Sequence, residues 1–171
     1  MGSKNKSDAL EYTLAAIADT QESIRAYDTK SEILAVLLTL AITFVNYDNN
    51  LCLSSFIGWI VFATTIAGLV SITFIGTVLF PVSNPEEQIE LGDYKPKRVF
   101  FVSPPQLKSG FSVAEHVKAV NKADLQAESS YELLKLSFIR NRKGKWFLRA
   151  LYAAYAVVFL IFVYVIVRAF V

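Results

Sequence analysis

The chain has 171 residues, 54 % of them hydrophobic and 19 % charged, with a formal net charge of +2 and a mean hydropathy of +0.41. That is more apolar than an ordinary soluble domain of this length, and the near-neutral charge gives no reason to expect a nucleic-acid polymer as a partner. One cysteine (Cys52) and one histidine (His116) exclude an internal disulfide, a zinc cluster and a dithiol redox motif.

The first 30 residues are polar and carry Lys4, Lys6, Arg25 and Lys30, so no secretory signal pattern is read there. The opening "MGSKNKS" approaches a myristoylation signal but has Lys6 where Ser or Thr is wanted. Leu10, Leu14, Ile17, Gln21, Ile24, Asp28 and Ser31 alternate in steps of four and three, which predicts the seam of a helix packed on other helices. No Gly or Pro interrupts Asp8 to Tyr47, so one helix is expected over that stretch. It carries a charged turn, Arg25, Asp28, Lys30 and Glu32, straight into the apolar run Ile33 to Val45. That run has 13 residues, whereas a membrane span needs about 20. Either the charged turn is a solvated helix end, or it is held at membrane depth for a purpose. Thr39, Thr43 and Asn46 follow Glu32 at plus 7, plus 11 and plus 14, and with Asp28 they make one polar stripe. Such a stripe faces a bundle interior or a water-filled cavity, unless each hydroxyl bonds back to its own helix.

The next block, Leu53 to Val82, holds no charged residue over 30 positions. The last, Tyr152 to Val167, reaches about 20 residues if Trp146 and Phe147 lead in and Arg149 snorkels. Both read as membrane helices, and the short run then reads most simply as a third. The expected fold is an all-α integral membrane protein with transmembrane helices at 33–47, 53–82 and 146–171. Residues 1–32 form a cytoplasmic helix continuous with the first span, and 83–145 a cytoplasmic linker and sensor or stalk segment. Ala63, Ala67 and Ser71, with Thr64, Gly68 and Gly76, are small residues at helical spacing that let backbones approach closely in a bundle. Ala150, Ala153 and Ala154 extend this pattern in the third span. A soluble all-helical protein is the alternative.

Eleven of the 17 Lys and Arg residues fall between Ser83 and Lys145, and none in the link "NYDNN". The large segment is therefore expected inside the cell, with the N-terminus on the same side and the C-terminus opposite. It opens with "PVSNPEEQIELGDYKPKR", a linker by its prolines and acids, followed by "VFFVSPP", a β-prone run. Ser112 with Glu115 three positions on is a capping box that starts a helix over "SVAEHVKAV". From Asp124 a second helix is expected to run into the third span, with Gly144 as its one weak point. So small a soluble part calls for several copies to bury a core.

No catalytic constellation appears: there is no phosphate loop and no nucleophile with a His partner, and His116 reads as a surface residue. Glu86, Glu87 and Glu90 lie in the acidic linker. The protein is expected not to be an enzyme and to need no cofactor or metal. "KPKRVFF" sets Lys97 and Arg98 beside Phe100 and Phe101, which suits either a phosphate with a stacked base or anionic lipid. "RNRKGK" adds Arg140, Arg142, Lys143 and Lys145 and reads as contact with anionic head groups.

Arg25, Asp28 and Lys30 before the first span, a long second span, "VFF" at Val99 to Phe101, a short helix, and a stalk through Arg140, Arg142 and Lys143 occur in that order. The arrangement resembles the transmembrane effectors of Pycsar bacterial anti-phage defence, and SLATT-type membrane effectors share the plan. Ser31 and Glu32 depart from it, standing where a small apolar residue is expected. The resemblance implies a multi-pass effector of the bacterial inner membrane. It would sense a cyclic nucleotide on the cytoplasmic side and permeabilise the membrane, with a homo-oligomeric pore as one way to do so. Asp28, Lys30, Glu32, Thr39, Thr43 and Asn46 would line or gate it, and Lys97, Arg98, Phe100 and Phe101 would hold the ligand. The alternative is a non-conducting oligomeric adaptor that recruits a cytoplasmic partner.

Overall fold

An uninterrupted run of helix-compatible residues makes the first element 46 residues long. In the computed structural model α1 spans Gly2–Tyr47, α2 Phe56–Leu79, α3 Val113–Asn121 and α4 Leu125–Phe170. The structure describes residues 2–47, 56–80, 89, 94–96 and 112–170, and among these every regular element is a helix. The β-prone run at 99–105 and the linker carboxylates Glu86, Glu87 and Glu90 lie outside the described residues. The continuity expected for α1 and α4 is observed, and α4 passes through Gly144 without a break.

The chain divides into two compact units, Met1–Ser23 with Ser83–Arg140, and Ile24–Val82 with Asn141–Val171. In the first unit, α3 begins directly after Ser112, whose carbonyl accepts the amide of His116 at 3.1 Å. Helix α4 starts from Asp124, where the sequence places its beginning, with that residue as N-cap. Asp124 Oδ1 accepts the amides of Gln126 and Ala127 at 3.1 and 3.4 Å, satisfying two otherwise orphaned donors. The buried residues here include the polar Thr20, Glu128 and Ser129 beside Tyr131. Thr20 can be buried because its hydroxyl donates to the Ala16 carbonyl at 2.7 Å.

In the second unit three helical stretches pack along seams with alternating steps of four and three. In α2 the seam runs Ile57, Val61, Thr64, Gly68, Ser71, Ile75 and Val78, and in α4 Lys143, Phe147, Ala150, Ala154, Val157, Ile161 and Tyr164. Leu38 of α1, Ile75 of α2, and Ala150, Ala154 and Val157 of α4 make one buried cluster. Val45, Ile60, Val61 and Tyr164 make the next. Going from the first cluster to the second, numbers rise along α1 and α4 and fall along α2, so α2 is antiparallel to the other two. Small seam residues bring the backbones together. A Cβ on Gly68 would collide with the Ile42 side chain, and the buried Ser71 hydroxyl donates to the Ala150 carbonyl at 2.9 Å. Ala63, expected on the packed face, is exposed instead, because Thr64, one position on, takes the inward phase.

The expected seam of α1 is also corrected at two positions. Leu14 is 41 % exposed and Gln21 is exposed, whereas their neighbours Thr13 and Thr20 turn inward. Both threonine hydroxyls are bonded to the preceding turn, which removes the cost of burying them.

Candidate gate and ligand-contact residues

The charged turn of α1 straddles two faces of the helix. Asp28 is half-buried and accepts a charge-assisted hydrogen bond from Lys143 of α4, itself only 8 % exposed. Beside it the Tyr27 ring lies against Gly144 and is tilted onto Phe147, with ring centroids 5.8 Å apart. One turn further on, Ser31 is fully buried and its hydroxyl has no hydrogen-bond partner. Arg25, Lys30 and Glu32 point away from this seam and are exposed.

Thr39 and Thr43 continue the exposed side. Their hydroxyls donate to the Ala35 and Thr39 carbonyls at 2.9 and 2.8 Å. Asn46 turns inward instead, donating to the Ile42 carbonyl at 2.8 Å and to the Thr65 hydroxyl of α2 at 3.2 Å. The polar residues therefore separate into two inward ends, Asp28 and Asn46, and an outward middle, Glu32, Thr39 and Thr43. Alongside that middle runs an exposed apolar strip, Ile33, Leu37, Leu40 and Phe44. The candidate ligand residues Lys97, Arg98, Phe100 and Phe101 lie outside the described residues.

Lys143 is the residue that sequence reasoning placed elsewhere. Within "RNRKGK" it reads as one more head-group cation, yet it sits on the same seam as Ala150, Ala154 and Val157. Extending that seam two turns back towards the N-terminus would have found it.

In the first unit, the Tyr94 hydroxyl donates to Glu128 Oε1 at 2.6 Å, and Glu128 is 2 % exposed. Burial, and then the hydrogen bond to this carboxylate, push the Tyr94 phenol well above the usual tyrosine range. Among the described residues no group of His, Cys, Asp and Glu stands together in a way that could hold a metal ion.

Two of the helices, α2 and α4, are long and apolar enough to cross a membrane. Their outward faces carry large apolar side chains such as Trp59, Phe62, Leu69, Tyr155, Phe159 and Phe162, which lipid accommodates and water does not. These features define a helical membrane protein. The family model for the Pycsar effector protein domain (PycTM) matches residues 12–169, and the chain belongs to that family, the transmembrane effectors of Pycsar anti-phage defence. No curated protein and no solved structure matches it.

Proposed function

We propose that this effector is a homo-oligomer of the inner membrane that senses a cytoplasmic cyclic nucleotide and opens a path through the bilayer, with no catalytic step and no cofactor. The observation that carries this reading is the outward face of α1. Glu32, Thr39 and Thr43 are exposed on a stretch whose opposite face packs, through Leu38 and Val45, against the two span-length helices. That packing sets residues 33–47 at the same depth as α2 and α4, which supports a third span. A carboxylate at the mouth of that stretch, in line with Thr39 and Thr43, suits a water-filled path between copies.

In this account the Asp28–Lys143 pair holds α1 against α4 in the resting state. Ligand binding on the cytoplasmic side, with Lys97, Arg98, Phe100 and Phe101 as the proposed contacts, turns α1 so that Glu32, Thr39 and Thr43 become wetted. Lys30 stands at the same level as Glu32 and pairs with it between neighbouring copies while the path is closed. Moving a gate from mostly closed to mostly open takes about 5.5 kcal/mol of differential binding, which several sites per oligomer share. The excess of Lys and Arg between Ser83 and Lys145 supports a cytoplasmic N-terminus and a C-terminus on the far side.

One observation favours a non-conducting adaptor: the Thr39 and Thr43 hydroxyls are satisfied within their own helix and tolerate lipid. The double variant Glu32→Leu/Thr39→Leu separates the two readings. Reconstituted into liposomes, a pore former loses conduction or leak, and in cells it loses growth toxicity. An adaptor keeps its oligomeric state and partner binding unchanged. Full conduction in the double variant would overturn the assignment of α1 as the lining helix.

A further inference from the structure

The cations around residue 145 divide by helical phase. At about 100° per residue, Arg142, Lys145 and Arg149 fall within an arc of roughly 60° on α4, whereas Lys143 is turned at least about 100° from each of them. Lys143 is spent on Asp28 inside the unit. Lys145 and Arg149 are exposed and Arg142 is half-buried. Arg149 is also held in place, its guanidinium 4.4 Å from the centroid of the Trp146 ring, which packs on Phe74 of α2 at 5.8 Å between centroids. A guanidinium over an indole face still has N–H donors to offer a phosphate.

We propose that Arg142, Lys145, Arg149 and Trp146 form a binding site for the phosphate head group of an anionic phospholipid. The three cations rise over about 10 Å of helix, and the stripe passes directly into the exposed Tyr152 at the start of the apolar stretch. A head group seated on the cations would lay its acyl chains along the exposed face of α4, and Trp146 stands at the boundary where interfacial aromatics belong. A free phosphate or a soluble nucleotide has no chains to use that continuity. The inference rests on α4 crossing a membrane and is independent of whether the protein conducts.

The test is native mass spectrometry of the full chain in detergent, titrated with phosphatidylglycerol or phosphatidylcholine. The comparison pairs Arg142→Gln/Lys145→Gln/Arg149→Gln with a control that loses the same charge elsewhere, Lys118→Gln/Lys122→Gln/Arg140→Gln. The proposal expects the unaltered protein to retain phosphatidylglycerol over phosphatidylcholine and the control to match it. The stripe variant, with an unchanged unfolding midpoint, should lose roughly a hundredfold in apparent affinity for phosphatidylglycerol. Equal loss in both variants, or no lipid preference in the unaltered protein, would overturn the site. Displacement of the lipid by millimolar inorganic phosphate would overturn the assignment to lipid in favour of a free anion. None of these readouts depends on leak, so failure here and failure of the pore reading are distinguishable.

Discussion

Lys143 of α4 donates to Asp28 of α1, and the two side chains differ in depth: the lysine is 9 % exposed and the aspartate 32 %. Removing one partner of an ion pair costs most when the charge left behind is the deeper one. Asp28→Asn, which leaves a buried ammonium with a weaker acceptor, is therefore expected to destabilise more than Lys143→Met, whose carboxylate can reach water. The first is expected to cost about 2–4 kcal/mol and the second about 1 kcal/mol. Thermal unfolding in detergent checks the order, and the reverse order would show that the aspartate is the more deeply committed partner. If the pair also holds the resting state, both variants raise leak in the absence of ligand.

Gly68 sits where α2 meets Ile42 of α1. A Cβ there would lie 2.8 Å from Ile42 Cγ1 and closer still to Cδ1. Gly68→Ala is expected to cost about 1–3 kcal/mol through overpacking. Ile42→Val in the same chain removes Cδ1 and should recover part of that loss. A double-mutant cycle with no coupling would mean that the two residues do not meet.

Gly144 is a different case, because a mid-helix glycine already costs about 1 kcal/mol relative to alanine. A Cβ there would stand 3.0 Å from the Tyr27 Oη, a crowded contact that offsets the gain. Gly144→Ala alone should be nearly neutral, and Gly144→Ala/Tyr27→Phe, which removes the crowding oxygen, more stable than Tyr27→Phe alone by about 1 kcal/mol. Unfolding midpoints of the four proteins decide it. A large loss in the double variant would mean that the ring, and not the hydroxyl, fills the space.

Ser31 carries a fully buried hydroxyl with no partner. Ser31→Ala removes that uncompensated group and is expected to stabilise by about 1 kcal/mol. Loss of stability instead would reveal an ordered water or a partner that the hydroxyl serves.

The Tyr94 phenol is raised by burial and by its bond to Glu128. A raised folded-state pKa favours the neutral form. Its contribution to stability is complete below the ordinary tyrosine value, near 10, and falls away as pH rises beyond it. Tyrosinate absorbance should show a step above the ordinary tyrosine range that is missing in Tyr94→Phe. Tyr94→Phe should flatten the alkaline fall in stability of the first unit. An unchanged alkaline profile in Tyr94→Phe would contradict the contact.

The long helices were legible because nothing in Asp8 to Tyr47, and only Gly144 in α4, argues against helix. The phase of their buried faces was less so. The four-and-three spacing puts Leu14 and Gln21 on an idealised seam, but a threonine that bonds to the carbonyl one turn back can be buried cheaply, and Thr13 and Thr20 take those positions. Reading "RNRKGK" as one basic block hid a rotation of about 100° per residue that sends Lys143 inward while Arg140 and Lys145 stay exposed. Gly144 read as a weak point because the Tyr27 ring that occupies the space above it is more than a hundred residues away in sequence.

In the proposed function, a cytoplasmic cyclic nucleotide opens this protein in a membrane. The most direct measurement is dye and ion leak from liposomes carrying the purified full chain, with a panel of cyclic mono- and dinucleotides added on the side of the large basic segment. The account predicts leak triggered by one member of the panel, saturable and abolished in Glu32→Leu/Thr39→Leu. A folded, oligomeric protein that stays silent across the whole panel would contradict it.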